Sequence, residues 1–69
     1  MSEIIIEKLL EQRDFYLNTL KQLEFQLVME PTENEIKEIT KLQTITIDQL
    51  KNVEQEIAYL TSEKSYNLQ

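Results

Sequence analysis

Pro31 stands near the middle of a 69-residue chain that has no other proline and no glycine. A proline lacks the backbone N–H that helix continuation needs and drives the residue before it out of the right-handed helical region. A helix arriving at Glu30 must therefore end there. Nothing elsewhere enforces a second break, and without glycine a tight left-handed turn is not expected. Just after the proline, Thr32 and Glu35 have the spacing of a capping box: the threonine hydroxyl accepts from the Glu35 amide while the Glu35 carboxylate accepts from the Thr32 amide. The sequence predicts one helix over about residues 3–30, a turn at about 30–33 and a second helix over about 33–64. Residues 65–69 are expected to fray. Ser2 is the expected N-cap of the first helix, with Glu3 and Glu7 at its dipole-favoured end.

Apolar residues recur on both sides of Pro31 at alternating spacings of three and four. The first arm carries Ile6, Leu9, Arg13, Tyr16, Leu20, Leu23 and Leu27; the second carries Ile36, Ile39, Gln43, Thr46, Leu50, Val53 and Ile57. If the arms fold back on each other, facing residues must share a constant sum of residue numbers. Leu27/Ile36, Leu23/Ile39, Leu9/Val53 and Ile6/Ile57 sum to 62 or 63, which puts the bend at Pro31 independently of the turn chemistry. Leu10, Leu17, Leu42 and Ile47 flank this seam and widen it into the stripe of a bundle helix. The predicted fold is all-α: a single-domain antiparallel two-helix hairpin of coiled-coil type, assembling into a four-helix bundle.

Two stretches test that reading. Thr44-Ile45-Thr46-Ile47 is β-branched throughout, and Thr46 with Gln49 could form a second capping box that splits the arm; the unbroken heptad register favours one continuous helix. The middle of the seam is polar, with Arg13, Tyr16, Gln43 and Thr46 at core positions. Arg13 is expected to reach Asp48 or Glu54 and the others to pair across the seam, fixing its register.

Composition then removes most chemistries. The chain has no cysteine and no histidine, so disulfides, thiol nucleophiles, the usual zinc ligands and the usual neutral-pH proton carrier are missing. Without glycine there is no phosphate-binding loop. Carboxylates such as Glu7 and Glu11 share a helix face, yet a hard cation needs more converging oxygens than two. The sequence reading is of a non-enzyme with no catalytic residues, metal, cofactor or small-molecule substrate. The formal net charge is −6, with the basic residues dispersed among acids, which argues against nucleic acid. The longest aliphatic run, Ile4-Ile5-Ile6, is far too short to span a membrane, and the Met-Ser-Glu start lacks a basic leader; a cytoplasmic location is expected.

What remains is apolar surface off the seam. Ile4, Phe15, Phe25 and Met29 trace a second stripe on the first arm, with Val28 beside it and Tyr59 contributing from the second. These six residues are the expected protein interface. The leading functional expectation is a protein-binding adaptor, inhibitor or chaperone, with a protein partner or a second copy in a homodimer; the alternatives are a purely structural homo-oligomer, a four-helix bundle, and an acidic decoy for a nucleic-acid-binding cleft. In outline the hairpin resembles two families of small bacterial helical hairpins, the sporulation regulators that dephosphorylate a response regulator and the co-chaperones of type III secretion needle subunits. The first carries Ser-Gln-Glu-Leu-Asp in its second helix. Residues 48–55 here read DQLKNVEQ and lack it, so phosphatase action is not implied. The second resemblance covers length, acidity and shape, and no family is assigned.

Overall fold

The computed structural model describes residues 2–67, with side-chain surroundings for residues 3–62. Two helices account for nearly all of it: α1 over Ser2–Val28 and α2 over Glu33–Asn67, packed antiparallel as an all-α hairpin. The cap expected at Ser2 falls on a side chain outside the described residues. α2 continues past the expected end near residue 64 to Asn67, and Leu68 and Gln69 lie outside the described residues.

The seam read from the heptads is the contact between the arms. Leu9 and Leu23 on α1, and Ile39, Leu50 and Val53 on α2, are the buried apolar residues, and Ile6, Leu20, Leu27, Ile57 and Leu60 are half-buried around them. The flanking positions behave differently from expectation. Leu17, Leu42 and Ile47 are 40 %, 48 % and 53 % exposed, because two cylinders touch along one line and residues a quarter-turn away see only one neighbour. Among the described residues, no side chain is completely enclosed.

α1 ends two residues before the predicted boundary. The Met29 N–H closes back on the Gln26 carbonyl at 3.2 Å, and Glu30 takes the left-handed conformation with φ 54°. The expectation that a glycine-free chain would avoid such a turn is wrong. The left-handed residue sits just past the helix end, where it most often does, and a right-handed alternative is closed to a residue before proline. A non-glycine residue there costs about 1–2 kcal/mol.

Part of that cost is offset at the next helix start. The Thr32 N–H donates to Glu35 Oε1 at 2.9 Å and the Glu35 N–H donates to Thr32 Oγ1 at 3.2 Å, so the predicted capping box is formed. The Ile36 N–H reaches the Thr32 carbonyl at 2.9 Å, which makes Thr32 the N-cap. Thr32→Ala should cost about 1 kcal/mol by urea denaturation, and an unchanged midpoint would show that the box is not holding the turn. The Thr32 backbone N–H, and secondarily its hydroxyl, hold the Glu35 carboxyl below its ordinary 4.5, partly opposed by loss of water around it. A depressed folded value means that this contribution is present above pH 4.5 and is lost as pH falls through the lower folded value. Glu35→Gln should remove that part of the acid-side loss, read as a flatter dependence of the midpoint on pH below 4.5.

α2 is continuous through Thr44–Ile47. Three of its threonines keep their hydroxyls within the helix, each donating to a carbonyl one turn back: Thr44 Oγ1 to Thr40 at 3.0 Å, Thr46 Oγ1 to Leu42 at 2.7 Å and Thr61 Oγ1 to Ile57 at 2.8 Å. For Thr46, which is buried, that bond also satisfies the hydroxyl.

Candidate interaction surface

The polar middle of the seam does not form a site. Arg13 Nη2 lies 3.6 Å from Asp14 Oδ1 on its own helix, a long contact between a half-buried and an exposed group. The expected partners across the seam are not used. Asp48 falls by helical register on the outer side of α2, and Glu54 stands a turn beyond Leu50, which faces Arg13. Arg13 Nε is buried without a hydrogen-bond partner. Thr46 bonds its own helix, and Tyr16 sets its ring against neighbouring Phe15, with centroids 5.6 Å apart at 66°. None of these three pairs across the seam. Its register comes from the apolar layers and the turn.

The residues expected to form an interface all reach water. Ile4, Phe15, Phe25 and Met29 are 61–67 % exposed, Val28 is 77 % and Tyr59 is 67 % exposed. Register places Ile4 and Phe25 along the ridge of α1 directly opposite the seam, with Phe15 a few tens of degrees toward one broad side of the hairpin, whereas Met29 lies past the end of α1 in the turn. Tyr59 inclines to that same side from α2. Val28 does not: it points to the other broad side, so the six expected residues do not share one surface. Ile5, Leu42 and Ile45 are also exposed and lie on the Phe15 side; they were not among the expected six. The signal that finds them is in the sequence, in which the positions flanking the seam on this side lack charge from Gln12 to Gln22 on the first arm and from Leu42 to Asn52 on the second.

Over the middle of the hairpin the two broad sides differ sharply. Beside Phe15, α1 presents Gln12, Thr19 and Gln22, and α2 presents Gln49 and Asn52 around Leu42 and Ile45, with no charged residue between them; nearer the turn the same side carries Glu35 and Glu38. The opposite side carries Asp14, Lys21 and Lys51 over that middle length. A surface hollow of about 310 Å³ opens at the turn end of the Phe15 side, beyond its uncharged middle, lined by Gln26, Asn34, Glu35, Glu38, Ile39 and Leu42.

Among the described residues, no three His, Cys, Asp or Glu residues are grouped to hold a metal ion, and no helix is long and apolar enough to cross a membrane. No protein-family model, curated protein or solved structure matches the chain.

Proposed function

We propose that the chain is a non-enzymatic protein-interaction module, a small adaptor, inhibitor or chaperone acting through the outer apolar face of α1. The observation that carries this is the imbalance between a thin core and the surface left outside it. Among the described residues, five apolar side chains are buried, whereas twelve large apolar ones are exposed. The accessible surface is 5965 Å², against about 4,600 Å² for a compact chain of 8.3 kDa. Two exposed phenylalanines on one outer face are large anchors of the kind that dominate binding energy in protein interfaces. A cytoplasmic workplace belongs to the same proposal, supported by the absence of cysteine.

The test replaces both rings. Phe15→Lys with Phe25→Lys removes apolar contact from positions that pack against little in the hairpin, so helicity by circular dichroism should persist. Proteins captured from the native host by the wild-type chain should be lost from the double variant. A capture profile identical for the two would take this face out of consideration.

A further inference from the structure

We propose that the broad side of the hairpin whose middle is free of charge, carrying Phe15, Leu42, Ile45 and Tyr59, is covered by a second copy of this chain. This rests on the interaction reading above and names the partner. Two independent features point to self-association.

The first is charge. Each copy carries a net −6, so two copies repel unless their contact avoids like charges. One broad side is free of charge through its middle, and charge depletion is what marks the centre of an interface. With both turns at the same end, a two-fold axis along the hairpin lays α1 of each copy on α2 of the other, so Glu35 and Glu38 near the turn come to the level of the other copy's uncharged Gln26 and Gln22 and not of each other. Lys8 of each then comes to the level of Glu56 of the other. The exposed amides of Gln12, Gln22, Gln49 and Asn52 can donate and accept in the same contact, which suits a surface that must match itself.

The second is area. α1 is 27 residues long, so the paired length is about 40 Å, and the hairpin is 15 Å across. That is about 600 Å² per copy, the share each partner contributes at the lower end of stable interfaces. The chain's surface exceeds the compact value by more than that amount. Stacking two hairpins side on side gives a four-helix bundle, in which Leu42 and Ile45 acquire the second neighbour that a lone hairpin cannot provide.

Sedimentation equilibrium from low to high micromolar concentration tests this on the full chain. Wild type should approach twice 8.3 kDa. Gln22→Glu with Gln49→Glu keeps side-chain size and helix propensity but places charge in the middle of the contact, and should weaken association at least tenfold. Thr40→Glu with Thr44→Glu changes net charge equally on the other broad side and should leave the dimer intact. A wild-type mass of 8.3 kDa at every concentration overturns the proposal, as does a glutamine variant that still dimerises or a threonine variant that dissociates equally. If the chain stays monomeric while the Phe15/Phe25 variant still loses captured proteins, the interaction reading stands with a different partner. If capture is also unchanged, both fail.

Discussion

Leu23→Ala is expected to leave much of the chain unfolded at 25 °C. Leu23 is the most buried apolar residue, at 5 % exposure, and faces Ile39 across the seam in the layers nearest the turn. Truncating a buried leucine removes its transfer free energy and leaves a cavity, about 2–4 kcal/mol together. A core of this size supplies only about 3–5 kcal/mol in total, so one substitution removes most of it. Leu42→Ala, at a flank that is half exposed, should cost under about 1 kcal/mol in a dilute monomeric sample. Urea denaturation followed by helicity compares the two. Equal costs for Leu23 and Leu42 would mean that the seam is not the contact on which the fold depends.

Ile47→Pro should cost about 3 kcal/mol or more, comparable with the loss at Leu23 although Ile47 is 53 % exposed. The reason is backbone continuity. Within one helix a proline at 47 deletes the bond to the Gln43 carbonyl, and its ring collides with that group. Had Thr46 begun a separate helix, position 47 would be the first residue of that helix, the place where proline is best tolerated. Loss of helicity and a collapsed urea midpoint are expected. Near-wild-type stability would show a break that α2 does not have here.

The seam was readable from sequence because folding back is an arithmetic constraint: Leu23/Ile39 and Ile6/Ile57 can both sum to a constant only if the arms are antiparallel about a bend near Pro31. The capping box was readable because Thr32 and Glu35 are local to each other and need no tertiary information. Glu30 was not, since the left-handed conformation arises from how the preceding helix end and the proline together restrict one residue, and no side-chain signal announces it. Arg13 misled for a related reason. A long flexible side chain chooses the nearest carboxylate, and Asp14 is nearer than anything across the seam. Exposure at Leu17 and Ile47 was missed because heptad pattern reports which side of a helix is apolar, not how many neighbours stand there. The interaction surface was half legible: Phe15 and Phe25 stand out as a pair, whereas the uncharged middle that Phe15 shares with Gln49 and Ile45 becomes visible only when both arms are set next to each other.

The molecule measures 54 × 15 × 15 Å, with a radius of gyration of 16.0 Å where a compact chain of this length would have about 11 Å. Both helices lie along the long dimension, so nearly every amide N–H vector lies close to that axis, up one arm and down the other. Rotational diffusion sensed by nitrogen relaxation is then almost purely end-over-end tumbling, the slowest mode available to a rod. Even a lone chain should relax, and elute through a sizing matrix, as though it were considerably heavier than 8.3 kDa.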